Sequence, residues 1–138
     1  MAELYLADTN VYVGAANEPA FRQRFEAFIR DHGPLVVSAV VVAEVLVGIA
    51  DAARHPAAVR ALTAGAVPLA PTPEDWIAAA AIVTHLGGEA VTKSRSFWND
   101  VLLAAQCSRL GAVLLTHNAS DFRRLGRHVP LRAVGPFP

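Results

Sequence analysis

Four carboxylates stand where their sequence neighbours make a charge costly: Asp8, Glu44, Asp100 and Asp121. Asp8 ends the apolar segment "LYLA", and Glu44 interrupts "AVVVAEVLVG". Asp100 precedes "VLLAA", and Asp121 follows "AVLLT" by a few residues. A carboxylate on an apolar surface carries a desolvation cost unless a cation or hydrogen-bond donors offset it. Each acid alone can be a helix cap or a locally satisfied polar group, but together they can form one site.

Such a site favours a hard divalent cation. Carboxylates that lie close together repel one another and raise one another's pKa unless a cation lies among them. The chain has one cysteine, Cys107, which excludes an internal disulfide and a cysteine-based zinc site. Its five histidines are scattered and indicate no zinc site. A site built from carboxylates alone suits Mg²⁺ or Mn²⁺.

The elements that must position these acids alternate between strand and helix. Apolar segments predict strands at 4–7, 35–37, 67–70, 112–116 and 129–134. Apolar periodicity and capping signals predict helices at about 19–31, 40–53, 56–65, 73–86, 96–110 and 119–125. Thr9 and Asn10 are expected to cap a helix after the first strand. This alternation predicts one α/β domain over residues 1–138, with a mainly parallel sheet and helices on both faces.

In such a sheet, the ends of the first strand and of "AVLLT" meet at one edge with the first turns of the following helices. We therefore expect the four acids to lie near one another.

Composition narrows the class of protein. The formal net charge is zero, with 12 basic and 12 acidic residues, so nothing global indicates nucleic-acid binding. The longest apolar run, 35–43, is shorter than the roughly 20 residues that a bilayer requires, and no signal peptide is recognisable. We expect a soluble, cytoplasmic protein. The high apolar content, 54%, reflects Ala and Val in helices and core or a surface that a partner covers.

Three blocks of this chain resemble a known family. "LADTNVYV", "SAVVVAEVLVG" and "FWNDVLLAAQCSRLGAVLLTHNASDF" follow, in order and spacing, the pattern of PIN-domain ribonucleases, specifically the VapC-like toxins of bacterial toxin–antitoxin pairs. The resemblance covers nearly the whole chain, and its last block is the most specific. It implies a PIN-like fold and makes the four acids the catalytic, metal-binding quartet. Thr116 and Asn118 would be the polar residues that orient them.

The resemblance also implies an activity and partners. The chain would hydrolyse phosphodiester bonds in RNA (tRNA, rRNA or mRNA) with Mg²⁺ or Mn²⁺, and a VapB-like antitoxin would block its site. Asp8 and Asp100 would be the principal metal ligands, with Glu44 on the metal or its water and Asp121 completing the site. Thr9 or Asn10 could hold a ligand oxygen or contact the scissile phosphate. A homodimer is expected.

Basic residues bracket the last two acids in sequence and are candidates for phosphate contacts: Lys93, Arg95, Arg123 and Arg124. The alternative for all four is a solvated position at a helix end. Phe97 and Trp98 could stack on an unpaired base or belong to the core. His117 could assist proton transfer.

Other classes of protein fit less well. A haloacid-dehalogenase-type phosphatase needs a second acid two residues after Asp8, where this chain has Asn10. A receiver-like domain would have paired acids after the first strand. A non-catalytic binding module, whose acidic pocket holds a basic partner peptide, stays open as an alternative. Metal-dependent cleavage separates the two hypotheses, because a pure binding module has none.

Overall fold

A parallel sheet forms the centre of the fold. The structure, a computed structural model, describes residues 3–92 and 94–135, and their side chains except at 89 and 90. Within these residues five strands pair in the order β3-β2-β1-β4-β5, and every pair is parallel. The strands are β1 (Tyr5–Ala7), β2 (Leu35–Ser38), β3 (Ala66–Leu69), β4 (Val113–Leu115) and β5 (Arg132–Val134).

Helices cover both faces of this sheet, as predicted. The described residues contain α1 (Thr9–Asn17), α2 (Pro19–His32), α3 (Ala39–Val47), α4 (His55–Thr63), α5 (Pro73–Leu86), α6 (Arg95–Leu110) and α7 (Ala119–Leu125). Short 3-10 turns lie at Ala52–Arg54 and Gly88–Val91. None of the described helices is long and apolar enough to cross a membrane.

The alternation of side chains along each strand divides the core in two. Successive strand residues point to opposite faces, so Leu6 of β1 and Leu114 of β4 belong to the larger cluster, with α5 and α6. Ala7 and Leu115 belong to the smaller cluster, which α1 and α2 cover. The three central strands, β2, β1 and β4, are buried on both faces, so they read as continuous apolar runs rather than as alternating ones.

Strand order fixes where a ligand can approach. The chain adds β2 and β3 on one side of β1 and then β4 and β5 on the other, so the winding reverses between β1 and β4. Open α/β sheets bind ligands in the crevice outside the carboxyl ends of the strands at this point. Asp8 follows β1 directly, and Thr116 follows β4 directly.

The predicted helix over 40–53 is too long. Helix α3 ends at Val47, and the N–H of Gly48 bonds to the carbonyls of Val45 and Leu46. Asp51 then starts a 3-10 turn, because its carboxylate accepts the Ala53 N–H and offers the backbone an alternative to a continuing helix. The last strand is also shorter than predicted and begins at Arg132.

Helix α3 is less buried than its apolar sequence suggests. Val41 is the one buried residue of this helix, although its sequence is almost entirely apolar. Glu44 is therefore half-buried at the edge of the core rather than enclosed by it.

Candidate active site

Asp8 is a buried carboxylate held from two directions. It follows β1 and is 4% exposed. Its Oδ1 accepts the Thr9 N–H at 2.8 Å, and its Oδ2 accepts the Thr116 hydroxyl at 2.9 Å. Asp8 is thus the N-cap of α1, and the prediction that Thr9 and Asn10 cap this helix is wrong. The reason is that Asp8 has an extended backbone, and in this conformation its side chain reaches the free N–H of Thr9.

The side chains of Thr9 and Asn10 instead tie neighbouring elements to the site. The Thr9 hydroxyl donates to Oε1 of Glu44 at 2.8 Å and so connects the start of α1 to α3. Asn10 donates through Nδ2 to Oγ1 of Thr116 at 3.4 Å and accepts the His117 N–H at 3.1 Å. These bonds fix the loop after β4 against α1.

Thr116 is the centre of this hydrogen-bond network. Its side chain is fully buried, and its only proton goes to Asp8. Its two acceptor positions take the backbone N–H of Asn118, at 3.0 Å, and the Asn10 amide. Asn118 contributes here through its backbone, while its side chain does not cap α7. The Thr116 hydroxyl therefore has a single orientation, which aims a donor at Asp8.

Asp100 is repelled by each of the other three acids. Burial and, after it, repulsion from Asp8, Glu44 and Asp121 together raise the pKa of Asp100 from 3.8 to about 7. Burial also raises the pKa of Asp8, against the stabilising hydrogen bonds from Thr116 and Thr9, and Glu44 adds to the increase. The fold thus brings together the acids that the sequence singled out.

A divalent cation fits this donor set. Within the described part of the chain, no group of three Asp, Glu, His or Cys side chains is arranged to hold a metal ion directly. The acids nevertheless supply oxygen ligands alone, and a cation among them would relieve the repulsion that raises the Asp100 pKa. Mg²⁺ keeps several water ligands and needs only one or two direct carboxylates, so the residues present suit it.

Two cavities flank the acids. The first, here the α6–α7 cavity, has a volume of about 400 Å³ and is lined by Leu86, Val91, Phe97, Asp100, Asp121, Phe122, Arg124 and Leu125. The second, here the α3–α5 groove, has a volume of about 300 Å³ and is lined by Ala39, Val40, Ala43, Glu44, Val47, Pro71, Trp76, Arg95, Asn99 and Leu102.

The basic candidates divide between these cavities. Arg95 lines the α3–α5 groove beside Glu44, and Arg124 lines the α6–α7 cavity beside Asp121. Arg123 is exposed on α7 and lines neither. Lys93 lies outside the described residues.

One buried polar residue near the site was missed. Gln106 of α6 is fully buried; its Oε1 accepts the Ser38 hydroxyl at 2.6 Å, and its Nε2 donates to the Leu69 carbonyl at 3.2 Å. These bonds tie α6 to the ends of β2 and β3. The signal was available, since Gln106 interrupts the apolar run "VLLAAQC". Ser38 itself is the N-cap of α3, because its hydroxyl accepts the Val40 N–H at 3.1 Å.

Sequence comparison identifies a family over most of the chain. A family model of the PIN domain matches residues 5–128. No curated protein sequence matches the chain significantly.

Structural comparison finds similar folds in toxin–antitoxin complexes. One is VapBC2 of Rickettsia felis bound to a promoter DNA fragment (TM-score 0.73, 18% identity, covering 97% of this chain and 99% of that one). Another is DNA-bound VapBC of Salmonella typhimurium (0.70, 20%, 98% and 98%). A third is VapBC-1 of nontypeable Haemophilus influenzae (0.69, 22%, 96% and 97%). At these identities the likeness shows a shared fold.

Proposed function

Because the chain belongs to the PIN domain family, we propose that it is a metal-dependent endoribonuclease and the toxin of a VapBC-type pair. The observation that carries this proposal is the meeting of four carboxylates at the reversal point of a parallel sheet. Three of them act on the fourth, Asp100, strongly enough to help raise its pKa to about 7. Such crowding of acids is typical of functional sites rather than of structural caps.

The proposed chemistry divides the work among these residues. Asp8 and Asp100 would be the principal ligands of Mg²⁺ or Mn²⁺, with Glu44 and Asp121 beside them. When bound, the ion would activate a water and neutralise charge on the phosphate. The chain's own contribution is orientation. The Thr116 hydroxyl and the Thr9 N–H hold both oxygens of Asp8, and each oxygen keeps a free lone pair.

Glu44 is held in the same way, because the Thr9 hydroxyl donates to its Oε1. Thr9 therefore positions two acids from different elements. Arg124, which lines the α6–α7 cavity with Asp121, and Arg95, which lines the α3–α5 groove with Glu44, would contact RNA phosphates. These cations supply locally the attraction for RNA that the neutral net charge does not supply globally.

A protein partner is proposed for the α3–α5 groove. Val47 and Trp76 line it and are 61% and 55% exposed, and Ile77 beside Trp76 is 71% exposed. Exposed apolar side chains grouped in this way are typical of protein interaction sites. The structural neighbours are toxin–antitoxin complexes, which supports a VapB-like antitoxin as the occupant.

The chain is further proposed to form a homodimer in the cytoplasm. Light scattering of the purified chain, with and without an antitoxin, measures both associations.

Cleavage of RNA tests the activity. The purified, antitoxin-free chain would be incubated with total RNA and with tRNA in Mg²⁺, Mn²⁺ or EDTA, beside an Asp8→Asn/Asp100→Asn variant. We expect cutting at discrete sites that EDTA and the double substitution both abolish. The exposed Glu26→Gln on α2 is the control variant and should cut like the wild type. A folded chain that cuts no RNA in either metal would instead favour the non-catalytic binding module.

A further inference from the structure

The α6–α7 cavity opens directly onto the acids. Asp100 and Asp121 belong both to the candidate site and to the lining of this cavity. Its volume, about 400 Å³, lies in the range of small-molecule sites, about 300–1,000 Å³. A ligand group inside this cavity would therefore lie next to a phosphate that is bound at the acids.

The walls of this cavity are apolar and partly aromatic. Phe122 is fully buried, while Phe97 and Val91 are half-buried and line the cavity from α6 and from the turn before it. Flat aromatic and aliphatic walls accept the face of a nucleobase without regard to its hydrogen-bonding edge. Arg124 is exposed and adds a positive charge to the lining.

We propose that the α6–α7 cavity binds the base of an unpaired nucleotide next to the scissile phosphate. This inference rests on the proposed ribonuclease function and deepens it, because it assigns the recognition of one base beside the cut to this cavity. Unpaired bases can be turned out of a strand and stacked on aromatic side chains, whereas the bases of a duplex cannot.

The lining combines apolar walls with charges of both signs. Asp100 and Asp121 would attract a cation, either a metal ion or a basic side chain, and Arg124 would attract an anion. A nucleotide brings an anionic phosphate, which Arg124 attracts, and an apolar base face, which the walls accept. The exposed Trp76 and Val47, by contrast, lie in the α3–α5 groove, which is assigned to the protein partner.

A matched pair of substitutions tests the proposal. Val91→Trp would occupy the α6–α7 cavity, and Val67→Trp would add the same bulk at an exposed position of β3 that lines neither cavity. Binding of a fluorescent single-stranded RNA of mixed sequence is measured by anisotropy in EDTA, beside an abasic strand of the same length. Because both strands carry the same phosphates, the ratio of their dissociation constants measures how much the bases contribute to binding.

We expect the wild type and Val67→Trp to prefer the base-containing strand by roughly tenfold or more, as stacking of one base supplies. Val91→Trp should lose most of this preference while melting at a similar temperature. If Val91→Trp does not fold, separate substitutions of the two exposed arginines of α7, Arg123 and Arg124, test the proposal instead. Arg124→Gln should then weaken RNA binding several-fold more than Arg123→Gln.

The cut sites in Mg²⁺ separate failure of this inference from failure of the proposed function. A wild type that shows the base-dependent binding but cuts no RNA would overturn the ribonuclease function and leave the base site standing. A wild type that cuts RNA, with an equal binding ratio and an equal cut-site preference in Val91→Trp and Val67→Trp, would overturn the base site. Equal effects of the two arginine substitutions would overturn it as well.

Discussion

Replacing Asp100 by Asn should stabilise the metal-free chain. Asp100 is half-buried, and burial together with Asp8, Glu44 and Asp121 raises its pKa from 3.8 to about 7. Above pH 7 the folded chain must keep this carboxyl ionised in surroundings that oppose the charge. Asn has nearly the same shape and carries no charge, so the substitution removes the repulsion while it keeps the packing.

The magnitude follows from the shift. Each pKa unit corresponds to about 1.4 kcal/mol, so the rise to about 7 sets an upper limit of about 4 kcal/mol. Solvent screens a half-buried group, so we expect about 2 kcal/mol. For a chain of this length, that free energy raises Tm by about 8 °C.

The pH dependence has a definite sign. Between pH of about 4 and 7 the folded carboxyl keeps a proton that the unfolded chain has lost, so wild-type stability falls over this window and is lowest above it. The gain from Asp100→Asn should therefore be full at about pH 8 and vanish below about pH 4. Thermal melting in EDTA across this range measures it, with Glu26→Gln as the exposed control. A variant that is less stable at pH 8, or a gain independent of pH, would refute the crowding of the acids.

Three further substitutions test the supporting structure. Arg109→Ala removes the bidentate partner, at 2.8 and 3.0 Å, of the buried Asp75, and the midpoint of chemical denaturation should fall; an unchanged midpoint would contradict the pairing. Gln106→Leu leaves a buried hydroxyl and a carbonyl unpaired and should cost about 1–3 kcal/mol by the same assay. Thr116→Val removes the donor to Asp8, so RNA cleavage at neutral pH should fall by roughly tenfold, with partial recovery at higher pH, since the Asp8 pKa rises further. Unchanged cleavage by Thr116→Val would contradict its orienting role.

Much of the fold could be predicted from short stretches of the sequence. The parallel sheet follows from short apolar runs that alternate with helical segments. Helix α5 starts at residue 73 as predicted, and the structure adds that Thr72 caps it in a capping box with Asp75. The four acids could be picked out because each one interrupts or ends an apolar run. Parallel strands then bring their carboxyl ends to one edge, so proximity of these acids could be predicted before any contact was known.

Other features depend on contacts that sequence does not encode locally. Helix α3 reads as core because Val, Ala and Leu fill it, but an apolar surface for a partner has the same composition as a core. Asp8, Thr9 and Asn10 are all good caps, and only the extended backbone at Asp8 decides between them. The partners of Gln106 lie far away along the chain, at Ser38 and Leu69, so its role required the folded arrangement.

Calorimetric titration of Mn²⁺ tests most directly the claim that these acids form one metal site. The wild type should bind the ion and release protons at neutral pH, because Asp100 with a pKa of about 7 must lose its proton to become a ligand. The proton release should shrink as the pH rises above 7, and Asp8→Asn/Asp100→Asn should abolish the binding. Equal Mn²⁺ binding by the wild type and the double variant, or binding without proton release at pH 6–7, would contradict the account.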